Sequence, residues 1–257
     1  MDFGPEHRRS FVTGASRGLG RAIAETFARE GSEVIAIARN EERLHQLAQS
    51  AAQNGGVITP HVCDLSNPAA IDKLAETLRS IDILVLNTGG PPPGNAADIP
   101  DETWSAQFES LFLSAIRLTR LALPGMKQRG FGRIIAIVSS GVVQPIPNLA
   151  ISNALRLALV GWAKTLAGEV AAAGVTVNCL APGRIATDRV AELDGARAKR
   201  ESLTLDEVER QARAAIPTGR YGEAREFAAM AAFLASTQAS YVTGSLVRVD
   251  GGMIRSV

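Results

Sequence analysis

The sequence predicts an α/β protein built on one doubly wound parallel sheet, with helices on both faces in a three-layer α/β/α arrangement. Two observations lead to this prediction. Short apolar runs rich in β-branched residues alternate along the chain with segments of helical periodicity. No Gly/Ser-rich or Pro-rich linker and no internal repeat interrupts the alternation, so residues 1–257 are expected to form a single domain.

Seven apolar runs have the length and β-branched content of buried strands, and the first of them is the weakest. In chain order the runs are RSFVTG from Arg9, EVIAIA from Glu33, VITPHVC from Val57, DILVLN from Asp82, GRIIAIVS from Gly132, GVTVNCL from Gly174 and SLVRVD from Ser245. Segments of helical periodicity lie between successive runs, as crossovers between parallel strands require. They span residues 18–30, 41–54, 68–79, 102–128, 150–172 and 222–235.

One long charged segment, residues 184–216, is inserted between the sixth strand and the last helix. Its spacing of apolar residues permits a pair of short helices. A lid inserted over a substrate site and a solvated pair of surface helices explain the segment equally well. The apolar residues concerned are Val190, Leu193, Val208, Ala212 and Ile216.

Composition and charge exclude several classes of function. The net charge is +1 and the charges are interspersed, so the sequence indicates neither a nucleic-acid surface nor an acidic tail. No apolar stretch is long enough to span a membrane, and the first residues lack the apolar core of a signal peptide. Cys63 and Cys179 lie in apolar runs, which favours two buried thiols in a reducing compartment. We therefore expect a cytoplasmic protein without a metal site.

The first strand leads directly into a glycine-rich turn and a helix, in the stretch FVTGASRGLGRAIAETFAREG. Gly14, Gly18 and Gly20 let the backbone turn tightly and approach a pyrophosphate, whose charge is favoured by the helix N-terminus. The segment therefore predicts a dinucleotide site on a Rossmann-type fold. Its spacing, Gly-x3-Gly-x-Gly, differs from the Gly-x-Gly-x2-Gly of the ordinary fingerprint.

This spacing resembles that of the short-chain dehydrogenase/reductase superfamily, and further motifs extend the resemblance over nearly the whole chain. Within the superfamily the sequence is most similar to β-ketoacyl-acyl carrier protein reductases, as a divergent branch. A purely structural role as turn or core residues would explain any one of these motifs. It explains poorly why all of them occur at the positions that the family's motifs occupy. The further motifs are DL at 64–65, NTGG at 87–90, LAPGRIATD at 180–188 and SYVTGSLVRVDGG at 240–252.

The resemblance implies a role for each matching residue. It places the glycine loop and residues 87–89 along the cofactor, residues 64–65 beside the adenine, and residues 182–187 at the nicotinamide end. In full, the implied cofactor residues are Gly14, Ser16, Arg17, Gly18, Leu19, Gly20, Arg39, Asp64, Leu65, Asn87, Thr88, Gly89, Pro182, Gly183, Ile185 and Thr187.

The turn after the second strand predicts which nicotinamide cofactor is used. A site for NAD requires a carboxylate there, which accepts hydrogen bonds from the adenosine ribose. In this sequence Ala38 and Arg39 occupy the turn, and Arg17 lies in the glycine loop. Guanidinium groups suit the 2′-phosphate of NADP because they combine charge with a bidentate fork. We therefore expect NADP(H) as the cofactor.

The catalytic positions of the family depart from their usual residues. Counting back from Lys164 in KTLAGE places Arg156 at the position of the family's lysine, Ser152 at its tyrosine and Ser139 at its serine. The asparagine of the family's tetrad corresponds to Leu111. Three of the four positions are therefore replaced by other residues.

These replacements remove the proton relay that the family uses. A phenol, with an ordinary pKa of about 10 that a nearby cation lowers, is a usable general acid, whereas serine cannot be tuned that far. Arg156 supplies charge but no proton, since the pKa of arginine exceeds about 12. Tyr221 and Tyr241 lie in segments that the family uses for packing and for the last strand. Ser139 and Ser152 are expected to hold the substrate oxygen, while water or the substrate supplies the proton.

Two hypotheses from different classes remain open at this point. One is an NADP(H)-dependent oxidoreductase that acts on a small carbonyl or alcohol substrate, acyl thioesters included. The alternative is a non-catalytic NADP(H)-binding sensor or partner subunit on the same fold. The PGRIAT motif and the insertion at 184–216 favour the oxidoreductase, because a pure binder needs neither.

The resemblance also implies a homo-oligomer, in the form of a tetramer. The family pairs its two long helices, near residues 102–128 and 150–172, across one two-fold axis and its C-terminal strand region across another. The C-terminal stretch SLVRVDGGMIRSV is apolar enough to be buried in such an interface.

The two arginines of the predicted phosphate site should set the cofactor preference. We expect the protein to bind NADPH at least about tenfold more tightly than NADH, a difference of about 1.4 kcal/mol. Fluorescence titration with both cofactors measures it. Replacing Arg39 with Asp (Arg39→Asp) should narrow or reverse the difference, and equal affinities in the unaltered protein would contradict the assignment of Arg17 and Arg39.

Overall fold

A computed structural model describes residues 8–256 of the chain and contains the predicted parallel sheet. Its strands are β1 Arg9–Thr13, β2 Glu33–Ala38, β3 Val57–Val62, β4 Ile83–Leu86, β5 Gly132–Ile137, β6 Val175–Pro182 and β7 Leu246–Val249. All neighbouring pairs are parallel, in the order β3-β2-β1-β4-β5-β6-β7. The order reverses between β1 and β4, so a crevice lies at the carboxyl ends of these two strands.

Helices cover both faces of the sheet and confirm the three-layer architecture. They are α1 Gly18–Arg29, α2 Glu41–Gln53, α3 Pro68–Asp72, α4 Ala75–Arg79, α5 Asp101–Phe108, α6 Ser114–Arg129, α7 Ala150–Val170, α8 Asp188–Glu201, α9 Leu205–Ala214 and α10 Ala224–Ala235. Successive strand residues point to opposite faces. Phe11 packs in the apolar layer formed with α4, α6 and α7, whereas Val12 packs in the layer formed with α1, α2 and α10.

The predicted helix at 68–79 is divided into α3 and α4. Asn67 caps α3, since its side-chain oxygen accepts hydrogen bonds from the backbone N–H groups of Ala69 and Ala70, and Pro68 stands in the first turn. Leu74 lies between α3 and α4 with a backbone conformation outside the helical region (φ −88°, ψ 2°). Its side chain is buried in the core. The packing of this leucine therefore coincides with the break that periodicity alone did not indicate.

The predicted helix at 102–128 is also interrupted, by a π-helical segment over Glu109–Leu113. The segment lies between α5 and α6, and Arg117 pairs with Glu109 across it. Leu111, which the sequence analysis predicts at the position of the family's asparagine, lies inside this segment and is buried. Insertions of this kind are frequent beside functional sites because they change the direction of the following side chains.

The inserted segment at 184–216 contains the predicted pair of short helices, α8 and α9. Ser202 ends α8 in a left-handed conformation (φ 53°), and Thr204 with Glu207 forms a capping box at the start of α9. The apolar residues of α9 and its end, Val208, Ala212 and Ile216, are buried. The pair therefore packs onto the domain along one face and exposes the charged residues of the other.

Both cysteines are free and buried, as predicted. Burial raises the pKa of the Cys179 thiol to about 12, because the thiolate would lose its hydration. Such a thiol behaves as a small apolar side chain in the core.

Candidate functional site

The ends of β1 and β4 are held together at the crevice. The hydroxyl of Thr13 accepts a hydrogen bond from the backbone N–H of Asn87 at 2.7 Å. The side-chain amide of Asn87 donates in return to the carbonyl oxygen of Gly14 at 3.3 Å. Asn87, a predicted cofactor residue, therefore fixes the position of the glycine loop.

The glycines of this loop are required by close backbone contacts. Gly14 adopts φ +61°, and a Cβ atom at that position would overlap the carbonyl oxygen of Asn87. A Cβ atom at Gly20 would lie 2.6 Å from the Asn87 side-chain nitrogen and would overlap the carbonyl oxygen of Gly14. These contacts bring the start of α1 against the end of β4.

The N-terminus of α1 is suited to an anion. Arg17 is the N-cap residue, and no side-chain hydrogen bond from the described residues satisfies the first N–H groups of the helix. Unsatisfied N–H groups and the helix dipole favour negative charge at this place. The predicted loop residues Ser16, Gly18 and Leu19 are all half-buried around it. The geometry fits the pyrophosphate of a dinucleotide.

Arg39 and Asp64 lie together at the end of the crevice that the sequence assigns to the adenosine. One carboxylate oxygen of Asp64 accepts hydrogen bonds from the backbone and hydroxyl of Ser66, at 3.0 and 2.8 Å. These bonds, and then the nearby charge of Arg39, lower the pKa of Asp64. Leu65 packs partly buried against the core, so this end combines a cation, a carboxylate and an apolar surface.

Arg17 is paired with acidic side chains in this structure. Its guanidinium contacts the carboxylates of α8, with Nη1 at 3.1 Å from Glu192 and 3.9 Å from Asp188. These partners could not be predicted from the sequence, because Glu192 follows Arg17 by 175 residues and no local pattern connects them.

The predicted nicotinamide-end residues divide into two groups. Gly183 and Ile185 support the site from behind: a Cβ at Gly183 would lie 2.6 Å from Asp250, and the Ile185 side chain is buried in the core. Thr187 lies across the cleft from the glycine loop, because a Cβ at Gly18 would be 3.7 Å from its methyl carbon. Pro182 is the last residue of β6 and is half-buried.

Arg156 is a buried cation at the carboxyl edge of the sheet. It donates to the carbonyl oxygen of Ile137 at 2.6 Å and to those of Thr88 and Gly89 at 3.3 and 3.4 Å. Burial, and then the charge of Arg189, lower the pKa of Arg156 to about 10. The group is therefore still charged at neutral pH, and it connects the end of β5 to the predicted cofactor segment after β4.

The two predicted catalytic serines are connected to this cation in different ways: Ser152 lies on the same helix, and Ser139 follows its hydrogen-bond partner Ile137 by two residues. Ser152 is in the first turn of α7 and is 7% exposed, one helical turn before Arg156. Ser139 follows β5, and its hydroxyl oxygen accepts a hydrogen bond from the Gly141 N–H at 3.0 Å.

Asn153 holds the loop between Ser139 and α7. Its side-chain amide donates to the carbonyl oxygen of Ile146 at 2.9 Å and accepts from the N–H of the same residue at 3.2 Å. A Cβ at Gly141 would overlap the Asn153 side-chain oxygen, so the loop is packed closely against it. This asparagine is structural, and the sequence offered no local signal for its partner.

A buried cluster fixes α8 beside the nicotinamide end. Asp194 is 1% exposed, pairs with Arg184 and accepts a hydrogen bond from the hydroxyl of Tyr221 at 2.8 Å. The Arg184 guanidinium also lies over the Tyr221 ring, 5.4 Å from its centre. Tyr221 is structural, as predicted, but its buried carboxylate partner was not anticipated.

Two kinds of site are absent from residues 8–256. No group of three or more His, Cys, Asp or Glu side chains is arranged to hold a metal ion there. Within the same range no helix is long and apolar enough to cross a membrane.

Known proteins resemble this chain over nearly its full length. A family model described as enoyl-(acyl carrier protein) reductase matches residues 14–254. The 3-oxoacyl-(acyl-carrier-protein) reductase of Escherichia coli is 38% identical over 254 residues, covering 96% of this chain and 98% of that protein. The NADPH-dependent reductase of Bacillus subtilis is 34% identical over 256 residues, covering 97% and 99%. Among solved structures, L-sorbose reductase from Gluconobacter frateurii, complexed with NADPH and L-sorbose, is 35% identical with a TM-score of 0.93, covering 100% of both chains.

The cluster around Asp194 predicts an unusual titration of Tyr221. Burial, and then the hydrogen bond to Asp194, raise the pKa of Tyr221 to about 12. Because the folded-state pKa is raised, this phenol stabilises the fold fully below its ordinary pKa of about 10, and the contribution is lost as the pH rises through about 12. Absorbance titration of tyrosinate should show a component near pH 12 that is lost in Tyr221→Phe.

The chain contains only one other tyrosine, Tyr241, which is fully exposed. The variant Tyr241→Phe is therefore the matched control and should retain the late component. Ionisation of Tyr221 at or below pH 10 would contradict the buried hydrogen bond.

Proposed function

Because this chain belongs to the short-chain dehydrogenase/reductase superfamily, we propose that it is an NADP(H)-dependent reductase acting on the carbonyl group of a small molecule. The observation that carries the proposal is the glycine loop between β1 and β4, where the N-terminus of α1 carries no side-chain cap and its N–H groups favour a phosphate. The reductases similar over the whole chain support the same class of reaction.

The described residues fit NADP(H) at both ends of the crevice. Arg39 stands where a carboxylate would select NAD, and Arg17 adds a second guanidinium in the glycine loop. Thr187 and the segment Asn87–Gly89 face the cleft at the nicotinamide end, where a Cβ atom at Gly89 would meet nothing within 4 Å.

In the proposed reaction no tyrosine donates a proton, unlike in the family's usual pattern. The bound cofactor supplies a hydride to the carbonyl carbon. The hydroxyl groups of Ser139 and Ser152 hold the carbonyl oxygen, and the charge of Arg156 lowers the cost of negative charge that develops there. With its pKa near 10, Arg156 keeps its proton at neutral pH. Water or the substrate therefore supplies the proton.

The position of Arg156 gives it a second task. Its hydrogen bonds to Ile137, Thr88 and Gly89 hold the two strand ends that border the nicotinamide site. The two terminal nitrogens of the guanidinium together reach all three carbonyl oxygens. A lysine has a single terminal nitrogen and could not span the same distance between them. The arginine thus orients the cofactor segment as well as supplying charge.

The non-catalytic alternative receives less support. Curated proteins that resemble the chain from end to end are reductases by name. The helix pair α8 and α9 also adjoins the nicotinamide end through Arg184 and Thr187. A lid of residues 184–216 over a substrate is consistent with this placement.

The proposed enzyme is a homotetramer. Phe108 and Leu157, on the helices predicted to pair, are 39% and 53% exposed in the single chain. The strand β7 forms one edge of the sheet and is half-buried. Both features leave apolar surface where the family forms its two-fold contacts.

Light scattering at micromolar concentration should therefore report a tetramer. The variant Leu157→Glu should dissociate it into smaller species, because a carboxylate would be buried in the interface. Leu205→Glu is the matched control, since Leu205 is 48% exposed on α9 and should tolerate the charge. A monomer in the unaltered protein would overturn the assembly.

The replaced tyrosine and lysine predict slow turnover with ordinary ketones. We expect the protein to reduce activated ketones or β-ketoacyl thioesters slowly with NADPH, because a positioned acid contributes about 10²–10⁴-fold. The double variant Ser152→Tyr with Arg156→Lys should raise kcat, and adding Leu111→Asn should raise it further. NADPH affinity should stay within a few-fold, which steady-state kinetics and titration measure together.

Single variants separate the two changes. Arg156→Lys alone loses hydrogen bonds to the backbone carbonyls without gaining an acid, so it should lower both stability and kcat. Fast turnover of the unaltered protein that is lost in Ser152→Ala would show that serine suffices. No gain in the double variant, with cofactor binding intact, would contradict the proposed role of these positions.

A further inference from the structure

The N-terminal part of α8 engages an arginine that the cofactor also needs. Glu192 accepts a hydrogen bond from Nη1 of Arg17 at 3.1 Å, and Asp188 lies 3.9 Å from the same nitrogen. The other oxygen of Glu192 lies 3.7 Å from Nη1 of Arg189. A pair of carboxylates thus faces the guanidinium that the sequence assigns to the 2′-phosphate of NADP(H).

The helix α8 is attached to the domain by contacts of very different strength, among them a hydrogen bond from Arg189 to the carbonyl oxygen of Pro91 at 2.7 Å. At Asp194, a carboxylate that is 1% exposed is held by Arg184 and Tyr221. At Glu192, the side chains of Glu192 and Arg17 are 50% and 52% exposed. A half-exposed pair contributes little because solvent screens it, whereas breaking a buried pair is costly because it leaves an uncompensated charge. The contact with Arg17 is therefore the one that a ligand can displace.

We propose that Glu192 is an internal competitor for Arg17, which the 2′-phosphate of NADP(H) displaces on binding. This proposal rests on the proposed function, in which Arg17 contacts that phosphate. A phosphate monoester carries up to two negative charges and several acceptor oxygens, so it binds a guanidinium more strongly than one exposed carboxylate does. Glu192 thereby sets the affinity for the phosphorylated cofactor specifically.

Through this competition, cofactor binding also affects how the N-terminal part of α8 is held. When Arg17 turns to the phosphate, the first turns of α8 lose their contact with the glycine loop, while Asp194 still holds the middle of the helix. NADH has no 2′-phosphate and leaves the contact between Arg17 and Glu192 in place. A ligand shifts such an equilibrium only by its differential affinity for the two states, and here the phosphate supplies that difference.

The variant Glu192→Gln tests the competition. Removal of the carboxylate should tighten NADPH binding about two- to fivefold, the upper value corresponding to an exposed ion pair of about 1 kcal/mol. NADH binding should be unchanged. Both dissociation constants are measured by fluorescence titration at low ionic strength, where exposed ion pairs are least screened.

Glu201→Gln is the matched control. Glu201 lies on the same helix and pairs with Arg197 and Arg200 at 2.8 and 2.9 Å, away from the glycine loop. This variant should alter neither dissociation constant. The double variant Arg17→Gln with Glu192→Gln should bind NADPH no better than Arg17→Gln alone, because the competitor has no target.

Three results would overturn the inference: no tightening in Glu192→Gln, equal tightening for NADPH and NADH, or tightening that persists in the Arg17→Gln background. Each differs from failure of the proposed function. That failure would appear as the absence of NADPH binding or of NADPH preference in the unaltered protein.

Discussion

The site depends on the contact between the glycine loop and the end of β4. Asn87 bonds Thr13 with its backbone and Gly14 with its side chain, and the loop approaches it so closely that neither Gly14 nor Gly20 has room for a Cβ atom. This contact fixes the start of α1 over the point where the strand order reverses. The position of the helix N-terminus and the shape of the crevice both follow from that placement.

The buried arginine on α7 is the second element that holds the crevice open in a defined shape. Arg156 joins the carbonyl group of Ile137, at the end of β5, to that of Thr88, just after β4. A cation solvated only by carbonyl dipoles has a lowered pKa and a strong field in a site shielded from water. Arg156 therefore influences both the electrostatics and the architecture of this part of the molecule.

The sequence predicted the parts of the molecule that depend on local pattern. The seven strands and the long helices α1, α2, α7 and α10 follow from apolar periodicity, and the glycine loop follows from its spacing. The break at Leu74 and the π-helical segment through Leu111 depend on packing against neighbouring elements, which periodicity does not encode. The partners of Arg17 and Tyr221 were unpredictable for the same reason: Glu192 and Asp194 come close only when the whole sheet has formed.

β1 lies in the interior of the sheet, and this position affects how the protein folds during synthesis. Ser10, near the N-terminus, pairs with Val34 on one side and with Ile83 on the other. During synthesis the second edge of β1 therefore stays uncovered until β4, some 73 residues further along the chain, has been made. An uncovered strand edge is a template for pairing with other chains, so the nascent protein passes through a stage that is prone to aggregation. Non-local parallel pairs form slowly, which lengthens this exposed stage.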